Sequence, residues 1–187
     1  MIAPGIHSLQ NEIDTKKVIL ETLVERFPNI LEEEIAHYET LLNEEAVTAA
    51  AGDKDIEMSY KQNSFYNNII DFQSSILLLY YYSLTIMIYS FAETSLKQIC
   101  DYAHLYNKQI RRNYIVEYYK QIKIKYDTLP ALEELWKERA SFQEIRNMIT
   151  HQMKTQNQVA TKAYLKNNLD EIYNMLCIVL SEVLTHK

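Results

Sequence analysis

Three polar residues in the C-terminal half of the chain have the types and the spacing needed for metal-free RNA cleavage. They are Arg146, Asn147 and His151. A guanidinium can hold a phosphate through two hydrogen bonds, and an imidazole gains or loses a proton near neutral pH. On a helix, Asn147 and His151 share one face because they are four residues apart, and Arg146 borders the same polar sector. The three residues therefore predict chemistry at a phosphate group.

The helix that carries these residues is predicted to begin at about Phe142. The order Ser-Phe-Gln-Glu over residues 141–144 is that of a capping box, in which the first and fourth side chains bond each other's backbone N–H groups. This start would place Arg146 and Asn147 in the first two turns. The partial positive charge at a helix N-terminus favours an anion there.

In an otherwise helical chain, Arg146-Asn147 followed by His151 resembles the R-x4-6-H signature of HEPN domains, in which a polar residue, often Asn, follows the Arg. The resemblance covers roughly residues 70–185 and extends to an apolar helix with an embedded acid, Glu93. Only the R-N-x3-H part is specific. The family implies a helical bundle that dimerises and, in many members, a metal-independent endoribonuclease. Such members often act as prokaryotic toxins or antiviral effectors, whereas some HEPN domains have lost catalysis.

The residue types favour one mechanism. A neutral His151 would remove a proton from a ribose 2′-hydroxyl, which attacks the adjacent phosphorus and expels the 5′-oxygen. Arg146 would hold the phosphate, and Asn147 would orient His151 or bind the RNA backbone. One motif supplies only one acid–base group, so a homodimer that apposes two motif helices is expected, as the resemblance also implies. The substrate class is RNA with a free 2′-hydroxyl, and single-stranded loops are the accessible form.

A second interpretation is a non-catalytic helical module for dimerisation or protein interaction. In it, Arg146 and His151 would cap or salt-bridge a dimer interface, and the acidic N-terminal helices would bind a partner. HEPN toxins that are paired with nucleotidyltransferase antitoxins carry a modified Tyr two residues after the His. This chain has Met153 there, so that route of silencing is in doubt. A protein antitoxin or another regulatory partner remains an alternative.

Charge is distributed unevenly along the chain. The net charge is −6, but residues 1–58 hold 13 acidic and 4 basic side chains, and residues 59–187 hold 12 acidic and 15 basic ones. A basic segment with interspersed tyrosines, whose rings can stack on unpaired bases, follows the apolar helix. A solvated basic helix would have the same composition. The predicted RNA-binding residues are Lys108, Arg111, Arg112, Tyr114, Lys120, Lys123 and Lys125.

Composition and periodicity predict an all-α fold, a single HEPN-like helical bundle with additional N-terminal helices. The acidic helices would occupy residues 1–58 and the bundle core residues 59–187. Only 2 Gly and 3 Pro occur in 187 residues, of which 48% are hydrophobic, as long packed helices require. One predicted helix ends at Pro28 and a second stops at Gly52. A long stretch without Gly or Pro runs from 56 to 107, and a break in its helix is expected at residues 67–68. A basic helix covers 109–126.

The sequence argues against a membrane span, a disulfide framework and a metal site. Residues 72–92 contain no charge, but their tyrosines and hydroxyls would be costly in hydrocarbon, so a buried or dimer-lining helix is expected rather than a membrane span. Two cysteines are too few for a disulfide framework, and no secretory leader opens the chain, which favours the cytoplasm. A single Glu-x-x-His pair does not make a di-iron site. No metal or cofactor is expected.

Overall fold

The computed structural model describes residues 6–105, 113–152 and 161–186, and of residues 6, 151 and 152 it describes the helix backbone only. Within these ranges all regular structure is helical and no strand occurs, which confirms the all-α prediction. The helices are α1 (Ile6–Ala50), α2 (Lys54–Asn63), α3 (Phe65–Tyr102), α4 (Tyr114–Lys125), α5 (Leu132–Leu135), α6 (Arg139–Gln152) and α7 (Lys162–Thr185).

Helix α1 continues through Pro28, so the prediction that Pro28 ends a helix was wrong. Proline removes the N–H that would bond the carbonyl of Val24, but its φ is compatible with a helix. Val24 and Leu31, on either side of the proline, are both buried. This packing holds the backbone helical across one missing hydrogen bond. The helix ends as predicted near Gly52, whose φ of 97° lies in the left-handed region.

The break in the long apolar stretch falls at Ser64, not at Asn67-Asn68 as predicted. Ser64 has extended backbone angles, φ −71° and ψ 145°, and its hydroxyl accepts a hydrogen bond of 3.2 Å from the backbone N–H of Tyr66. A serine side chain can thus cap the following helix and end the preceding one. Asparagines at 67 and 68 lie inside α3.

The chain divides into two compact units. Unit 2 consists of Glu25–Tyr81, and unit 1 of Met1–Val24 together with Tyr82–Lys187. The boundaries fall within α1 and α3. Unit 2 contains the C-terminal half of α1, all of α2 and the start of α3. Unit 1 contains the residues with the predicted chemistry.

Helix α7 forms the centre of unit 1. The apolar stripe of this helix is buried, with Tyr173 only partly so, and its buried members are Leu169, Ile172, Leu176, Val179, Leu180 and Val183. The only Trp of the chain, Trp136, is fully buried, and its indole N–H donates a hydrogen bond of 2.8 Å to Oδ1 of Asn168 on α7. Its ring centroid lies 5.7 Å from that of Phe142 on α6. The contact therefore joins the segment before α6 to the core helix.

By length and composition alone, helix α3 is long and apolar enough to cross a membrane. In an apolar segment of 18 residues within it, 39% is buried. The half of α3 in unit 1 carries core residues that are almost fully buried, namely Leu84, Ile88, Leu96 and Ile99. A core helix of a helical protein has the same composition. That part of α3 is therefore packed as a core helix of unit 1.

The substitution Asn168→Ala should lower the free energy of unfolding by about 1–3 kcal/mol, because it leaves the buried indole N–H of Trp136 without an acceptor. Urea denaturation followed by the fluorescence of Trp136 measures this loss. The neighbouring Asn167 is exposed, so Asn167→Ala is the matched control and should change stability by less than about 0.5 kcal/mol. Equal stability of the two variants would contradict a stabilising Trp136–Asn168 bond.

Candidate functional site

The helix that carries Arg146 begins at Arg139, and the predicted start at Phe142 was wrong. The Ser141 hydroxyl donates to the Glu138 carboxylate at 3.2 Å and does not cap the helix. Phe142 is fully buried rather than placed at a terminus. Arg146 is therefore the eighth residue of α6, in the third turn. The helix dipole is effective only in the first turn, so it does not contribute to anion binding at Arg146.

The guanidinium of Arg146 lies against α3. Its Cζ atom is 4.9 Å from the ring centroid of Tyr89, a buried residue of that helix. Nη1 donates a hydrogen bond of 3.0 Å to Oδ1 of Asn147. The Nε–H is buried and has no hydrogen-bond acceptor in the described part of the chain. Arg146 is thus held by a cation–π contact, and the hydrogen bond of its Nε–H is not satisfied by any described residue.

A second arginine, Arg139, was missed by the sequence analysis. It lies seven residues before Arg146 and therefore on the same face of α6. Its two terminal nitrogens bond Gln143 and Glu133, each at 3.2 Å. Its Nε is also buried without an acceptor among the described residues. The seven-residue spacing was visible in the sequence, but a helix start at Phe142 left Arg139 outside the helix.

Glu93 supplies the negative charge of this site. It follows Tyr89 by four residues on α3, so both lie on one face of the helix. Burial raises the pKa of the Glu93 carboxyl, and the nearby Arg146 and Lys97 lower it by a smaller amount. Burial also raises the pKa of Tyr89, with Arg146 and Arg139 acting in the opposite direction. Both arginines therefore act electrostatically on the same tyrosine.

The structure brings Arg146 and Asn147 into direct contact, whereas for His151 it gives only the backbone position. His151 lies on α6 four residues after Asn147, and its side chain is outside the described residues. Asn147 binds Arg146 in this structure, a contact that the sequence analysis did not foresee. Among the described residues no group of three or more His, Cys, Asp or Glu side chains could hold a metal ion.

The predicted RNA-binding residues have different environments, and the structure describes only some of them. Lys108, Arg111 and Arg112 are outside the described residues. Helix α4 begins only at Tyr114, after Asn113 with a left-handed φ of 52°, later than the predicted 109. The ammonium groups of Lys123 and Lys125 donate to the backbone carbonyls of Leu129 and Ala103. Lys120 is exposed, and Tyr114 is exposed with its ring stacked on that of Tyr118 at 6.5 Å.

Comparisons of the chain with protein-family models, with curated proteins and with solved structures give no match. Family membership therefore stays a resemblance that is carried by Arg146, Asn147 and His151.

Replacing Glu93 by Gln should raise thermal stability at neutral pH. The folded pKa of Glu93 is raised, so the ionised carboxylate destabilises the native state, and wild-type stability falls as pH rises through this pKa. The melting temperature of Glu93→Gln should exceed that of wild type at pH 7, and the gap should close towards about pH 4. Calorimetry at several pH values tests this, with the exposed Glu144→Gln on α6 as the control. A difference in melting temperature that does not change with pH would contradict a raised pKa of Glu93.

Proposed function

We propose that the chain is a metal-independent endoribonuclease that cleaves RNA by attack of the ribose 2′-hydroxyl, of the toxin or antiviral-effector type. The observation that carries the proposal is the environment of Arg146. Its guanidinium is fixed over Tyr89, next to Asn147, and its buried Nε–H has no acceptor among the residues that the structure describes. Arg139 adds a second such donor on the same helix face. A phosphate carries the acceptor oxygens and the charge that would satisfy these donors.

In the proposed reaction, His151 acts as the general base. Its neutral imidazole takes the proton of the 2′-hydroxyl, the 2′-oxygen forms a bond to phosphorus, and the bond to the 5′-oxygen breaks. A protonated His151 from a second copy returns a proton to the leaving 5′-oxygen. Arg146 stabilises the charge that develops on the non-bridging phosphate oxygens. The products are a 2′,3′-cyclic phosphate and a 5′-hydroxyl.

An exposed apolar groove of unit 1 supports the second copy. The groove has a volume of about 410 Å³ and is lined mostly by apolar side chains, among them Ile19, Ile86 and Met87. Ile86 and Glu93 are seven residues apart on α3, so the groove and the candidate site lie along the same face of that helix. A homodimer that buries the groove would therefore bring two candidate sites towards each other.

Charge and the exposed ring of Tyr114 favour RNA as the ligand of unit 1. Its sequence holds 16 basic and 14 acidic side chains, whereas the chain as a whole is acidic. Exposed Lys120 and the stacked pair Tyr114 and Tyr118 lie on α4, directly after the basic residues 108–112. Basic side chains bind the RNA backbone, and tyrosine rings stack on splayed bases.

Incubation of the purified protein with RNA in the presence of EDTA tests the proposed reaction. Arg146→Ala should reduce the cleavage rate about 100-fold or more, because it removes the group that stabilises the phosphate charge. His151→Ala should reduce it by a similar factor, because the general base is lost. RNA binding by His151→Ala should be nearly unchanged. Expression of the wild-type chain should slow growth of a bacterial host, and neither variant should do so.

The matched control is Thr150→Ala. Thr150 is exposed, adjoins the motif and bonds only the backbone of its own helix among the described contacts. Cleavage that survives in Arg146→Ala and His151→Ala, or that needs a divalent metal, would overturn the proposed mechanism. A homogeneous protein that cuts no RNA would leave the alternative, a helical interaction module in which the two arginines stabilise an interface.

The dimer is tested by Ile86→Lys. A lysine in the apolar groove should convert the dimer to a monomer in light scattering, because two copies would each bury an unpaired charge. Cleavage should be lost in parallel, although Arg146 and His151 are unchanged. Ile124→Lys is the control, since Ile124 is a highly exposed isoleucine of α4 elsewhere in unit 1. A monomeric variant with full activity would exclude a site composed of two chains.

A further inference from the structure

Unit 2 exposes an apolar stripe on the first half of α3. Phe65, Phe72 and Leu79 are 73%, 67% and 63% exposed. They are spaced by seven residues, which places them on one face of the helix at intervals of about 10 Å. Large apolar side chains at a seven-residue spacing are typical of a helix that packs along a second helix.

Helix α2 adjoins the start of this stripe, because Tyr60 of α2 and Phe65 of α3 line the same pocket. None of its ten residues, all of them described, is buried, and Ile56 and Met58 are more than half exposed. A hydrogen bond of 2.8 Å from the Tyr60 hydroxyl to the Glu45 carboxylate ties α2 to α1. A helix of this length is marginal in water unless it buries a face. The sequence and structure of α2 thus suit a surface that is covered by another molecule.

Unit 2 has an acidic surface. Unit 2 contains 11 acidic and 3 basic side chains, and 9 of the 11 acids are exposed. Asp71 precedes Phe72 and projects from one side of it. On the other side, Gln73 donates a hydrogen bond of 2.8 Å to the Glu34 carboxylate of α1. The exposed phenyl ring of Phe72 therefore lies between two carboxylates.

We propose that the exposed face of unit 2, formed by Phe65, Phe72 and Leu79 of α3 together with α2, docks a cationic amphipathic helix of a partner protein. Apolar residues of the partner would cover the stripe, and its Lys and Arg side chains would meet the flanking carboxylates. A second copy of unit 2 would bring a net charge of −8 against −8. Nucleic acids and anionic lipids are repelled for the same reason. The inference is independent of the proposed RNA cleavage.

Anisotropy of a fluorescein-labelled model helix tests the proposal with the full-length protein. The probe is a peptide of about 18 residues with leucines at i, i+3, i+4 and i+7 positions and lysines elsewhere. A scrambled peptide of the same composition has the same charge but no apolar face. The amphipathic peptide should bind at least about tenfold more tightly than the scrambled one at about 150 mM salt, where long-range attraction is screened. Hydrogen exchange should slow in α2 when the amphipathic peptide binds.

The double variant Phe65→Ser/Phe72→Ser should reduce this preference to about the level of the scrambled peptide, because it removes the apolar contacts and keeps the charges. Both residues are exposed, so the melting temperature should stay close to that of wild type. Ile124→Ser/Leu184→Ser, which removes two exposed apolar residues from unit 1, is the control and should bind like wild type.

Other occupants of the face give different results. Equal affinity for the two peptides, or wild-type binding by Phe65→Ser/Phe72→Ser, would overturn the proposal. A fall in molar mass of that variant in light scattering would assign the face to a second copy of the chain. Sedimentation of the protein with neutral phosphatidylcholine vesicles, lost in the same variant, would assign it to a membrane.

Discussion

The position of the candidate site depends on the burial of Trp136 and Phe142 against α7. Trp136 bonds Asn168 through its indole N–H, and the ring of Phe142 lies between those of Trp136 and Tyr164, at 5.7 and 6.0 Å. Phe142 is the fourth residue of α6. Fixing its ring fixes the rotation of the helix about its axis, and Arg146, one turn later, then faces Tyr89 on α3.

The candidate site combines a weak attraction with a desolvation cost. A cation–π contact contributes about 0.5–2 kcal/mol, depending on how well water is excluded. The half-buried Glu93 gives an opposite charge to Arg146, yet its pKa is raised because burial outweighs this attraction. In the described part of the chain the buried Nε–H groups of Arg139 and Arg146 lack acceptors, which also costs native-state stability. Such an arrangement is expected where a protein keeps binding groups ready for an anion rather than optimising its own stability.

The chemical character of the two units differs. Unit 1 has a nearly balanced charge and carries the arginines, whereas unit 2 has a net charge of −8 and exposes aromatic side chains. A nucleic-acid ligand needs a surface without a large negative charge, whereas a cationic protein ligand needs an acidic surface. The two ligands proposed above would therefore bind different units, because the net charge of −8 on unit 2 repels RNA and attracts a cationic helix.

The all-α class could be predicted from the sequence because it depends on local properties. The apolar period of α7 and the scarcity of Gly and Pro require only the neighbours in the chain. The spacing of Arg146, Asn147 and His151 was likewise local, and their common helix could be predicted from it. Termination at Gly52 followed from its access to the left-handed region.

Only the tertiary structure decided the points at which packing competes with local preference. Buried residues on both sides of Pro28 keep α1 continuous through a residue that usually ends helices. Helix α6 starts at Arg139 rather than at Phe142, and this puts a second guanidinium on the helix face that carries Arg146. The partners of Arg146 on α3 are more than 50 residues away in the chain. Sequence periodicity gives the face of each helix, but which faces meet depends on the free energy of packing the whole core.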